Sequence, residues 1–190
     1  MREFENDIFN CLEVLKRGGT ILYPTDTTWG IGCDATNQQA VEKIYQIKNR
    51  DDQKSMIILV AEERDILQYA AAPDPAVFDF IQQQIRPTTI IFEYAIGLAE
   101  NVIAADGSVA IRVVQDKFCR HLIKRLRKPV VSTSANISGE PPPLIFAEIS
   151  EHIKQKVDYV VQWRQDDKVT SQASQIIKWN TDSTYTVIRS

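Results

Sequence analysis

The sequence predicts a single α/β domain in which helices flank a mixed sheet. Segments with apolar residues at helical spacing interleave with short runs of β-branched and aromatic residues. Several of those runs follow one another with no helix between, so parallel and antiparallel neighbours must share the sheet. Size agrees: 190 residues without an internal repeat, low-complexity tract or linker fit one domain over residues 1–190.

Residues 5–17 place Ile8, Leu12 and Leu15 on one stripe and end in Lys16-Arg17-Gly18-Gly19. Cations in a last turn followed by glycine stop a helix. Thr20–Tyr23 is a short strand, and Pro24, which lacks a backbone N–H, turns the chain out of it. PTDTTWGIGCDA reads as a loop of small and hydroxylated residues. Asn37 or Ala40 then opens a helix with Val41, Ile44 and Tyr45 on its apolar face, ending near Lys48-Asn49-Arg50. Ser55–Val60 is an apolar strand, and Glu62–Ala72 and Pro75–Gln84 read as helices split by Pro73-Asp74-Pro75. Thr88–Tyr94 and Val109–Val114 read as strands. Lys117–Arg127 is amphipathic, with Phe118, Leu122 and Leu126 inward and a basic outer face. Pro129–Ser132 is a strand, Phe146–Lys156 a helix and Val157–Trp163 a strand. Ser174–Trp179 and Thr184–Arg189 make a hairpin.

Bulk properties narrow the function classes. A net charge of −3 supplies no global field for a polyanion, which would have to meet a local patch. Cys11, Cys33 and Cys119 are odd in number and far apart, so they read as reduced thiols of a cytoplasmic protein. His121 and His152 are too few and too separated to build a metal site. Arg2, Glu3, Glu5 and Asp7 make the amino terminus unlike a signal peptide. The longest apolar run, Met56 to Ala61, is too short to span a bilayer. No metal site and no membrane partner are expected.

Five constellations carry candidate chemistry. Lys48 and Arg50 flank one residue and could clamp a phosphate, or they could simply offset the helix dipole. The PTDTTWGIG loop offers hydroxyls, one carboxylate and glycines that allow close backbone approach, and it equally suits a turn; no GxxxxGK[ST] loop occurs. In VVSTSANISG, Ser132, Ser134 and Asn136 alternate, so an extended chain would put them on one face. With no histidine motif to activate a serine, they read as a binding strand or as a serine-rich turn. Arg112 sits inside an apolar strand, where a cation must be salt-bridged or face a cavity. Lys117, Arg120, Lys124, Arg125, Arg127 and Lys128 form a basic face, either solvated or in contact with RNA.

In order along the chain, these pieces resemble one family. GGTILYPTDTTWGIGCDA, IYQIKNRDDQKSMIILV, RPTTIIF, SVAIRVV and PVVSTSANISGEPP are similar to the successive motifs of the YrdC/TsaC-type threonylcarbamoyl-AMP synthases, in the short form with the catalytic domain alone. The resemblance implies a twisted mixed sheet around a deep, positively lined cavity (a YrdC-like fold). It implies that L-threonine, bicarbonate and ATP yield L-threonylcarbamoyl-AMP and pyrophosphate, with Mg2+ accompanying ATP. A separate threonylcarbamoyl-transferase complex would then modify tRNA. By the same resemblance Lys48, Arg50, Ser134 and Asn136 are the catalytic set. Lys48, Arg50, Lys54, Ser108, Ser134, Asn136 and Arg189 would bind ATP, and Thr27, Arg112, Ser132 and Ser174 would hold threonine. The reaction gathers several anions, which asks for cations and hydroxyls more than for a nucleophile. On that view Lys48→Ala and Ser134→Ala should abolish turnover without moving the melting transition.

The chain departs from the family pattern at a few positions. Leu59 stands where many members carry histidine near threonine, Trp29 replaces tyrosine or phenylalanine, and RPTT lacks a glycine. Ala173 and Gln175 replace the proline and threonine of a PST motif. The competing expectation is a double-stranded RNA or tRNA-binding module of the same fold, using the basic face.

Overall fold

The computed structural model describes residues 3–49, 56–168, 172–180 and 182–190. Among the described residues, nine strands are interspersed with five α-helices. They run α1 (Glu5–Lys16), β1 (Ile21–Tyr23), β2 (Gly30–Gly32), α2 (Gln38–Lys48), β3 (Ile57–Val60), α3 (Ala76–Gln82), β4 (Thr88–Phe92) and β5 (Val109–Val113). There follow α4 (Lys117–Leu126), β6 (Val130–Ser134), α5 (Glu151–Lys156), β7 (Tyr159–Val160), β8 (Gln175–Trp179) and β9 (Tyr185–Arg189). The strands form one sheet in the order β7-β1-β2-β6-β3-β5-β4-β8-β9. The pairs β1/β7, β3/β5 and β4/β8 are parallel and the others antiparallel, so the sheet is mixed as its sequence predicts.

Local chemistry sets the helix ends. Asn37 caps α2, its side-chain oxygen accepting from the Ala40 N–H at 3.1 Å, and Asn49 closes the helix in the left-handed conformation. Asp116 caps α4 by accepting from the Cys119 N–H at 2.9 Å. Inside α4, Phe118, Cys119, Leu122, Ile123 and Leu126 are buried, as the amphipathic spacing requires.

Four elements differ from the sequence reading. Glu62–Ala72 holds only a 3-10 turn at Glu63–Gln68, because Ala70 bridges to Ala95 and Ala72 takes a positive φ. Phe146–Lys156 is split: Ile149 is extended and Ser150 caps a new helix. Val157–Trp163 pairs only at Tyr159–Val160. Beyond it the buried Asp7 carboxylate takes the Gln162 and Trp163 N–H groups, both at 3.0 Å, and draws the chain off the sheet. The PTDTTWGIG segment is a loop only as far as Trp29. Gly30–Gly32 is β2, wedged between β1 and β6.

That strand depends on its glycines. A Cβ on Gly32 would stand 2.5 Å from the Val131 carbonyl oxygen and 2.6 Å from the Tyr23 ring. Gly32→Ala is therefore expected to cost about 1–3 kcal/mol through overpacking, read as a lower urea midpoint. An unchanged midpoint would mean that β2 can move away from β6.

Register then divides the sheet into two faces. Ile57 pairs with Ser132 and Ala110, Ala110 with Ile91, Arg112 with Thr89 and Leu59, and Gly30 with Ser134. Because side chains alternate along a strand, these residues share one face. Ile58, Val131, Ile111 and Ile90 point the other way into the apolar core.

Candidate functional site

A cavity of about 360 Å³ opens on the first of these faces. Its apolar floor is made by Met56, Ile57, Ile91, Ala110 and Ile176. Thr27, Thr28, Ser132, Thr133, Ser134 and Ser174 supply hydroxyls, and Arg112 and Arg189 supply the charge. No carboxylate stands among the described lining residues, so the cavity is positive and suits an anion.

Arg112 is 3% exposed, in the middle of β5. Its Nη2 stands 3.1 Å from Asp26 Oδ1, yet Nε, Nη2 and that oxygen are all buried without a hydrogen-bonding partner among the described residues. The distance is that of an ion pair and the alignment is not that of a hydrogen bond, so directional donors remain unspent. Across the cavity, Arg189 donates to the Ser174 carbonyl at 2.8 and 3.1 Å. Burial first, and the neighbouring Arg112 charge second, push the Arg189 pKa below its ordinary value. Two like charges lining one cavity favour an anion bound there.

Ser174 Oγ shares a hydrogen bond with Thr89 Oγ1 at 2.8 Å. Thr27 is buried, and its N–H donates to Thr25 Oγ1 at 3.0 Å. The structure thus brings together Thr27, Arg112, Ser132, Ser134, Ser174 and Arg189. Arg50 and Lys54 lie outside the described residues.

Lys48, Asn136 and Ser108 are placed otherwise than on the wall. β6 ends at Ser134, so the alternation stops before Asn136. The Asn136 amide instead donates to the carbonyls of Glu140 at 2.6 Å and Ile137 at 3.1 Å. Lys48 is buried, and its ammonium donates to the carbonyls of Ser134 at 2.5 Å and Asn136 at 2.6 Å. The Lys48 carbonyl accepts in turn from the Ser138 N–H at 2.8 Å. The end of α2 is therefore stapled to the turn that follows β6. Ser108 donates to Asp106 Oδ1 at 2.6 Å in the turn before β5 and does not line the cavity.

Leu59 is fully buried beside Arg112 in the sheet and does not line the cavity, whose apolar surface comes from its neighbours. Asp26 is the charged neighbour of Arg112 that residue patterns did not assign. It lies in the PTDTT motif, and nothing local says which cation it meets.

The β8–β9 hairpin carries Ser174, Ile176, Ile188 and Arg189 to the cavity, and Asp74 anchors it. The Asp74 carboxylate accepts from Ser183 Oγ at 2.6 Å, Trp179 Nε1 at 2.9 Å and the Ala76 N–H at 2.9 Å. These bonds, that to Ser183 first, lower its pKa. A depressed carboxylate pKa stabilises the folded state above the ordinary value, and this contribution disappears as pH falls through the folded value. The Trp179 indole N–H signal in NMR is expected to hold at pH values where free carboxylates protonate, and to broaden on further acidification. Asp74→Asn should broaden it already at neutral pH; a signal indifferent to the substitution would mean that the hairpin is held elsewhere.

The basic face of α4 is partly spent on ion pairs. Lys124 pairs with Glu62, Arg125 with Glu5 and Lys128 with Asp34. No helix among the described residues is long and apolar enough to cross a membrane. The three cysteines are buried and free.

Residues 13–190 match the family described as telomere recombination, which groups Sua5, YciO and YrdC proteins. The chain belongs to the Sua5/YciO/YrdC family. A threonylcarbamoyl-AMP synthase of Pseudoalteromonas translucida is 31% identical over 160 residues, covering 83% of this chain and 86% of that protein. Among solved structures, P. abyssi Sua5 complexed with L-threonine superposes with a TM-score of 0.86 at 21% identity, over 100% of this chain and 55% of that one. The family member thus spans about half of that Sua5. Full-length HypF in a phosphate- and nucleotide-bound form matches with a TM-score of 0.82 at 21% identity, over 96% of this chain and 28% of that one. At these identities the structural likeness speaks for the Sua5/YciO/YrdC fold.

Proposed function

We propose that this family member is an L-threonylcarbamoyladenylate synthase, forming threonylcarbamoyl-AMP and pyrophosphate from L-threonine, bicarbonate and ATP. The observation that carries the reading is Arg112, a buried guanidinium with unspent N–H donors in a cavity lined, apart from it and Arg189, by hydroxyls and apolar side chains. That combination suits a small carboxylate bearing a hydroxyl and a methyl group. The threonine carboxylate would meet Arg112, with Thr27, Ser132 and Ser174 around its polar atoms. The relative named threonylcarbamoyl-AMP synthase and the threonine complex of Sua5 support the assignment.

Once the threonine amine and bicarbonate have formed a carbamate with loss of water, its carboxylate attacks the α-phosphorus of ATP and pyrophosphate leaves. The protein's part is to hold anions together and offset the charge that develops. Ser134 and Arg189 would face the phosphates, the Lys48–Asn136 staple would shape their pocket, and Arg50 and Lys54 are proposed to add charge. Magnesium would enter on the phosphates of ATP. Among the described residues no group of three or more His, Cys, Asp or Glu is placed to hold a metal. The product would pass to a threonylcarbamoyl-transferase complex for tRNA modification in the cytoplasm.

The deciding experiment is pyrophosphate release from ATP by purified protein. Release that requires both threonine and bicarbonate is expected; its absence would sink the proposal. Tight duplex-RNA binding that survives moderate salt, without turnover, would favour the RNA-binding reading instead.

A further inference from the structure

Asp26 has a geometry that the synthase reading leaves unused. Its side chain is 10% exposed and that of Arg112 4%, with Oδ1 and Nη2 3.1 Å apart. Its other oxygen, Oδ2, accepts from the Gln115 N–H at 3.2 Å. Gln115 lies just past β5, the strand that carries Arg112, so carboxylate and guanidinium are referenced to the same strand. On either side the loop is stiffened by Thr25 Oγ1, which donates to the Thr28 carbonyl at 2.7 Å and accepts from the Thr27 N–H at 3.0 Å.

We infer that Asp26 is a positioning residue, holding the Arg112 guanidinium against the cavity wall with Nε–H and Nη2–H left for a ligand carboxylate. A guanidinium this deeply buried needs a counter-charge while no ligand is bound. A linear, two-pronged pair would supply it and would also occupy the donors that a ligand must use. The misaligned contact supplies the charge and leaves the buried Nε–H and Nη2–H without a hydrogen bond. Asp26 also offsets the repulsion from Arg189, which is near enough for Arg112 to lower its pKa. Asp26 does not line the cavity, so it acts through Arg112 and not on the ligand.

The inference rests on the synthase reading for the identity of the ligand alone, and the test separates the two. Asp26→Asn keeps an acceptor for the Gln115 N–H and removes the charge. Calorimetric titration is expected to show L-threonine binding weakened about tenfold in Asp26→Asn and further in Arg112→Lys, with the double variant no weaker than Arg112→Lys. Asp26→Glu, which keeps the charge one methylene further out, should regain part of the affinity, and ATP affinity should stay within about twofold of wild type throughout. Additive losses, or an Asp26→Asn protein that binds threonine like the wild type, would overturn the inference. In the ligand-free protein, the NMR signal of Arg112 Nε–H is expected to be protected from exchange and to lose that protection in Asp26→Asn. A wild type that binds no threonine but keeps this dependence would remove the synthase reading and leave the positioning role. An Arg112 signal indifferent to Asp26 would remove the role itself.

Discussion

Arg112→Ala is expected to lower threonine-dependent pyrophosphate release by about 10²–10³-fold at low threonine, with the loss mainly in KM for threonine. The substitution deletes the fork proposed to bind the carboxylate and leaves Asp26 Oδ1 buried with no cation beside it. Removing one partner of a buried ion pair costs about 3–5 kcal/mol. The lower end applies here, because the existing contact is not an aligned hydrogen bond. Melting should therefore fall together with activity. Wild-type KM in Arg112→Ala would take Arg112 out of the site, whatever the melting curve showed.

Lys48→Ala is expected to impair both activity and stability, contrary to the expectation from sequence that the melting transition would stay put. A lysine in a KxR motif at a helix end suggests a free point charge waiting for phosphate. In the folded chain its ammonium is held by the carbonyls of Ser134 and Asn136. The Ser134 carbonyl keeps the Asn136 N–H at 2.9 Å, so the cost is that of losing two charge-assisted bonds, about 2–4 kcal/mol in all. For a domain of this size that lowers Tm by roughly 4–16 °C. Turnover should fall at least about 100-fold, because the turn that follows Ser134 loses its staple. Ser134→Ala is the contrasting variant: its side chain lines the cavity, so turnover should drop with Tm nearly unchanged. Equal Tm values for wild type and Lys48→Ala would show that the staple is dispensable for folding and restore the free point-charge picture.

Most of the fold was legible because its signals are local. The stripe of Ile8, Leu12 and Leu15, the amphipathic Lys117–Arg127 segment and the apolar runs at β3, β4 and β5 need only neighbours in sequence to be recognised. The misread elements are those in which a distant group competes. Asp7, in α1, removes Gln162 and Trp163 from the sheet. Ser150 starts a helix of its own, and β2 is a strand because two glycines let β1 and β6 close on it. β propensity cannot report such a strand, since it records what a side chain contributes and here the requirement is its absence.

The site divides along the same line. By itself the sequence determined the α/β class, the family motifs and the choice of Arg112, Ser132, Ser134, Thr27, Ser174 and Arg189 as candidates. Arg112, Ser132 and Ser134 rest on residue type and spacing, and Thr27, Ser174 and Arg189 on the resemblance of their motifs to the family, all of which the chain carries unfolded. Only the tertiary structure decided that β6 stops before Asn136, that Lys48 is spent on backbone carbonyls and that Asp26 stands against Arg112. Those outcomes depend on strand register and on the direction of side chains from segments far apart in sequence. Period-two alternation predicts a shared face for as long as the strand lasts, and where a strand ends is settled by what packs against it.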